Sequence, residues 1–195
     1  MLRNSKIYPF LKMILKVVVL LIIFLILAIP FKVLSIIPGF TDIRPVSLLQ
    51  PVYGIFFGIP GCVAFAIGNL IGDIVSNSLK WSSIAGFVAN FAGPFLFYLF
   101  FVLISKETFS LKKGKQFLLM IAVIVLSAAA QAVIITPAVV LVYPEVSGFV
   151  FATTVMINGL TFPILLGIPL IILMQEELGF KPLSSPVKIK KIKER

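Results

Sequence analysis

Apolar positions fill this chain in long runs, and polar positions break them at only a few places. The runs predict helices over approximately Lys12–Ile37, Val46–Gly58, Gly61–Asn77, Ser82–Ser105, Gln116–Val142 and Gly148–Met174. Crossing a bilayer takes about 20 apolar residues, so the second run is marginal in length. Pro45 and Pro51 predict that it starts in a loop and kinks. Gly58-Ile59-Pro60-Gly61 supplies a tight turn between the second and third runs. Arg3, Lys6, Lys12 and Lys16 ahead of the first run imitate a secretory signal. That run, however, continues almost unbroken to Ile37 without an Ala-x-Ala site, which predicts an uncleaved first span.

Composition turns these helices into membrane spans. The 195 residues are 60% hydrophobic and 12% charged, a surface that no water-soluble domain keeps from aggregating. The mean hydropathy is +1.16. The expected fold is an all-α integral membrane protein, a bundle of about six transmembrane helices. Residues 1–180 form a single transmembrane domain and 181–195 a basic cytoplasmic tail. The lone Cys62 excludes a disulfide framework, and the absence of histidine removes the commonest metal ligand and general base.

Charge tests the count of spans. With six, about fourteen of the 17 Lys and Arg residues fall on one side: the N-terminus, Lys106 to Lys115, and Lys181 to Arg195. Only Lys32, Arg44 and Lys80 fall on the other. Merging the second and third runs would move the 105–116 lysines opposite the N-terminus, against the positive-inside rule. The parity predicts both termini in the cytoplasm. The net charge of +10 then sets topology and meets anionic lipid headgroups. No aromatic or glycine-rich partner accompanies the Lys188–Lys193 cluster, so no nucleic acid is expected.

On that topology the polar residues gather in the outer half of the bundle. Asn69, Asp73 and Asn77 are spaced by four and so share a helix face. Asn90, Gln131, Thr136, Thr153, Thr154 and Asn158 fall in the outer parts of their spans, and Asp42, Arg44 and Gln50 lie at the outer loop and the second span. The inner halves are nearly pure Leu, Ile, Val and Phe. This asymmetry predicts a cavity open outward and sealed inward, whereas a pore would carry polar groups through its full depth. Two readings stay open for several residues. Asp73 pairs with Arg44 or Lys80, or faces a ligand. Asn69 and Asn90 either glue helices together or touch a ligand. Trp81 and Tyr143 suit interfacial anchoring as well as ligand contact. Small residues at spacing four (Gly54 and Gly58; Ala64, Gly68 and Gly72; Ala85, Ala89 and Gly93) predict close helix packing inside the bundle.

The Asp42-Ile43-Arg44-Pro45 loop, the Pro51-Val52-Tyr53-Gly54-Ile55-Phe56-Phe57-Gly58 helix and the Gly68–Asp73 segment, within six short spans, resemble the substrate-binding S component of energy-coupling factor (ECF) transporters. The resemblance implies capture of a vitamin or similar small nutrient from outside a bacterial plasma membrane. It also implies association with two cytoplasmic ATPases and a transmembrane coupling protein. The implied site draws on Asp42, Arg44, Asn69, Asp73, Trp81, Asn90, Gln131, Thr153 and Asn158, with the Asp42–Arg44 loop as a lid. Arg44 would meet a carboxylate or phosphate on the ligand. No metal, cofactor or catalytic residue is expected. One departure stands out: many members carry Ala-x-x-x-Ala in the first span for docking the coupling protein, and here Ala28 is its only small residue. The alternative is a membrane sensor or assembly protein that moves nothing. An enzyme built on Asp42 and Asp73 lacks a nucleophile, metal cluster or phosphate loop.

Overall fold

The computed structural model describes residues 7–33, 35–37, 41–105 and 109–183. Helix α1 spans Ile7–Val33 and leads into a short antiparallel pairing of β1 (Ser35–Ile37) with β2 (Thr41–Asp42). Helices α2 (Pro45–Phe57), α3 (Ile59–Val75), α4 (Ser82–Ile104), α5 (Gly114–Val142) and α6 (Gly148–Glu176) follow. Apart from the hairpin the described chain is helical, and α1, α4, α5 and α6 are long and apolar enough to cross a membrane. That is the make-up of a helical membrane protein. The exposed faces agree with it: Leu15, Ile26, Leu118, Val133 and Leu141 are all exposed, a surface that only an apolar solvent covers without cost.

Helix α2 is short because it does not face that solvent. Leu49 to Phe56 are all buried, and α2 packs against α1, α3, α4 and α6 at the middle of the bundle. A helix sheathed in protein need not match the bilayer thickness, and its irregular ends are tolerated at depth. It begins with a tight turn over Pro45–Leu48 and ends with a wide π-type turn over Tyr53–Phe57. The Tyr53 hydroxyl donates to the Leu20 carbonyl of α1 at 2.6 Å. Gly58, at φ +61°, then reverses the chain into α3, a conformation that suits a residue without Cβ.

The small residues do what their spacing predicts. A Cβ on Gly54 would lie 2.2 Å from the Pro94 carbonyl oxygen, and one on Gly68 would lie 2.3 Å from the Phe24 ring. Ala64 and Ala89 are buried. Close approach brings α2 onto α4 and α3 onto α1.

The two ends of the bundle differ. The hairpin end holds the C-termini of α1, α3 and α5 and the N-termini of α2, α4 and α6. The opposite end carries Lys112, Lys113, Lys115 and Lys181 and has an apolar core. There Phe101 meets Phe109 edge to face with ring centroids 5.1 Å apart, beside buried Met120, Ile124 and Ile171. The chain after α6 folds back so that the Leu183 amide donates to the Ile55 carbonyl at 3.0 Å. The remainder of the basic tail, 184–195, lies outside the described residues, as do Arg3, Lys6 and Lys106. An ion pair, Lys112 Nζ to Glu176 Oε1 at 2.8 Å, joins the start of α5 to the end of α6. Both partners are well exposed, so Lys112→Ala is expected to shift thermal stability by less than about 1 kcal/mol, no more than about 4 °C in a melting scan.

Candidate functional site

The hairpin end contains a cavity of about 150 Å³, lined by residues of α2 to α6 together with Arg44 and the α3–α4 connection. Helix periodicity puts the polar groups there. On α3, Asn69 and Asp73 share a face one turn apart, and both line the cavity. Asn77, the next position at that spacing, has left the helix. It adopts φ +54° while Ser78 N donates to the Asp73 carbonyl and Asn77 N to the Ile74 carbonyl. Those two bonds are a Schellman stop with asparagine in the left-handed position. On α6, Thr154 and Asn158 face inward one turn apart, whereas Thr153 is exposed. About 100° of rotation per residue separates the two threonines. Trp81 stands at the edge of α4 with 83% of its surface exposed and does not line the cavity. The side chain of Asp42 lies outside the described residues.

Arg44 is the hub. Its Nη2 donates to Asn69 Oδ1 at 2.7 Å and to Asn90 Oδ1 at 3.4 Å, and its backbone N–H donates to Asn158 Oδ1 at 2.9 Å. Three asparagines from three helices therefore converge on the residue that opens α2. Two are aimed by their own helices: Asn90 Nδ2 donates to the Gly86 carbonyl at 2.7 Å and Asn158 Nδ2 to the Thr154 carbonyl at 3.0 Å. With the amide nitrogens parked one turn back, the carbonyl oxygens turn toward Arg44. Asn90 itself lies behind the cavity wall, fully buried. Asn69 bridges the charges, accepting from Arg44 and donating to Asp73 Oδ2 at 3.4 Å.

Below this hub lies a second polar group. Gln50 and Gln131 exchange amide bonds at 3.0 Å in each direction, Ser127 Oγ donates to Gln50 Oε1 at 3.1 Å, and Gln131 Nε2 donates to the Ser127 carbonyl at 3.1 Å. All three side chains are buried, and Gln131 forms part of the cavity floor. Gly93 makes room, since a Cβ there would sit 3.0 Å from Gln131 Nε2 and 3.1 Å from the Gln50 amide. At about 1.5 Å per residue, Asn90, Gln131 and Asn158 lie roughly 12–16 Å from the hairpin ends of their helices.

Residues that sequence reasoning left out of the site also line the cavity: Ser47, Ser78, Ser82, Ser83, Tyr143 and Phe151. The serines read as loop and cap residues in sequence, and Tyr143 as an interfacial anchor, so no periodic signal marked them. Tyr143 and Phe151 add aromatic rings to the cavity wall. Among the described residues no group of three His, Cys, Asp or Glu side chains comes together to hold a metal. The arrangement can hydrogen-bond and hold a small polar molecule; it supplies amides, hydroxyls, one guanidinium and the Asp73 carboxylate. No protein-family model, no curated protein and no solved structure matches this chain.

Proposed function

We propose that this chain is a membrane capture subunit: it binds a small water-soluble nutrient in the cavity at the hairpin end and serves as the S component of an ECF-type, ATP-driven importer. In this reading the hairpin end faces outward, both termini are cytoplasmic, and the membrane is a bacterial plasma membrane. The observation that carries it is the polarity of the bundle. A polar cavity with Arg44, Asn69, Asp73, Gln131 and Asn158 in its wall occupies one end, while aromatic and aliphatic side chains form the core of the rest. In this reading the site captures a solute without conducting it, and inward release falls to the ATP-driven partner.

The test is purification of the tagged chain from its native membrane in mild detergent, with mass spectrometry of what comes with it. Two ATPases and a second membrane protein are the expected companions. An unrelated signalling or assembly partner would overturn the transporter reading and favour a sensor. One observation favours that second reading. Ala28, the only small residue in the core of the first span, is 5% exposed and turned into the bundle, so the outward face of α1 offers bulky side chains such as Phe10, Ile14, Ile22 and Ile26 to any docking partner.

A further inference from the structure

The geometry points to an oxyanion, a carboxylate or phosphate on a body about the size of one ring, as the ligand class, with Arg44 as its anchor. This inference rests on the capture reading and narrows it. Among the described residues no carboxylate ion-pairs with Arg44; the partners of its guanidinium are the neutral amide oxygens of Asn69 and Asn90, both reached by Nη2. The donors Nε and Nη1 bond to no described residue and are not sealed from solvent, while the residue lines the cavity. Those donors are what a guanidinium offers to an oxyanion. Asp73 shares the cavity wall, but the Asn69 amide stands between the two charges, accepting from one and donating to the other. Arg44 also directly precedes the first turn of α2, with Pro45 in its first position and Ser47 in the cavity wall. The positive end of that helix dipole therefore lies beside the guanidinium, and both favour negative charge at the same place. The cavity volume of about 150 Å³ sets the size, because a cavity of about that volume accommodates a benzene ring.

The same chemistry is carried by a free solute or by a lipid headgroup phosphate, and the experiment separates them. The purified full chain in detergent is titrated calorimetrically with sodium benzoate, with its neutral isostere benzamide, and with methyl phosphate. Native mass spectrometry of the same sample reports any retained phospholipid. The expected result is that benzoate or methyl phosphate binds roughly tenfold or more tighter than benzamide, the worth of one charge-assisted bond. Arg44→Gln is expected to abolish that preference and Arg44→Lys to keep part of it, with melting curves of both variants showing that each is folded at the titration temperature. Equal binding of benzoate and benzamide would leave solute capture standing and overturn the oxyanion class. Binding of none of the three would remove both. A phospholipid held by the wild type and absent from Arg44→Gln would assign the anion to a headgroup and overturn the free-solute form.

Discussion

A Gly54→Ala variant is expected to unfold many degrees below the wild type in detergent, although it adds a single methyl group. The new Cβ would lie 2.2 Å from the Pro94 carbonyl oxygen, 2.7 Å from Phe97 Cβ and 3.0 Å from the Tyr98 nitrogen. Two of these three atoms are backbone in the middle of α4, so no rotamer change relieves the clash. Helix α2 would have to withdraw from α4 by more than 1 Å, and it is the element least able to move. It carries Gln50 in the buried amide exchange with α5 and Tyr53 bonded to the α1 backbone. Overpacking of a core by a methyl costs about 1–3 kcal/mol, and a backbone contact on a central helix belongs at the top of that range. The control is Gly114→Ala, where a Cβ meets nothing within 4 Å. At that site, the N-terminus of α5, alanine is expected to be neutral or to stabilise by up to about 1 kcal/mol. Melting curves of the two variants side by side decide the matter. If Gly54→Ala melted with the wild type, α2 and α4 would not pack as closely as described.

The contrast between these glycines also shows what the chain makes legible. Spacing by four announced the close helix faces because small residues are conspicuous among Leu, Ile and Phe. The long helices were readable for the same reason, since an uninterrupted apolar run has few other structures open to it. The length of α2 was harder. Val46–Gly58 reads as a marginal span, and nothing local says that the surrounding helices shield it from lipid. The site divided in the same way. Asn69 with Asp73 could be placed together, since both sit on one helix face. That Asn69, Asn90 and Asn158 meet at Arg44 depends on the packing of α3, α4 and α6, which periodicity within each helix does not specify. Thr153 and Thr154 are adjacent and equally polar, and only the orientation of α6 decides which faces the cavity. Trp81 reads equally well as an anchor or a ligand contact until its exposure is known. Gln50, in the Leu49-Gln50-Pro51 run, could be read at the start of the second span, yet its partner lies 81 residues away.

That distant pairing yields the second large effect. Gln50→Leu is expected to destabilise the bundle, and Gln50→Leu combined with Gln131→Leu to recover most of the loss. In the single variant Gln131 Oε1 loses its Gln50 donor and faces a methyl group unsatisfied, while its Nε2 loses the Gln50 acceptor but keeps the Ser127 carbonyl. An unsatisfied buried polar group costs about 1–3 kcal/mol, whereas exchanging both partners for apolar groups of similar shape is nearly neutral. Hydrogen bonds between membrane helices average only about 0.6 kcal/mol by double-mutant cycles, because the reference state finds other partners. Here one buried acceptor, Gln131 Oε1, is left without its donor, and Gly93 packs tightly over both amides, so a cost above that average applies. Ser127 keeps a partner in either variant, since its hydroxyl also reaches the Gly93 carbonyl at 3.2 Å. The double variant should nevertheless differ from the wild type in one respect. Gln131 forms part of the cavity floor, so a leucine there makes the floor apolar, and under the proposed capture role a polar solute should be held more weakly at restored stability. Melting temperature and solute titration measured on the same three variants separate the two roles. If the single and double variants were equally unstable, the amide pair would not be the source of the effect. If binding survived the double change intact, the Gln131 amide would have no part in the site.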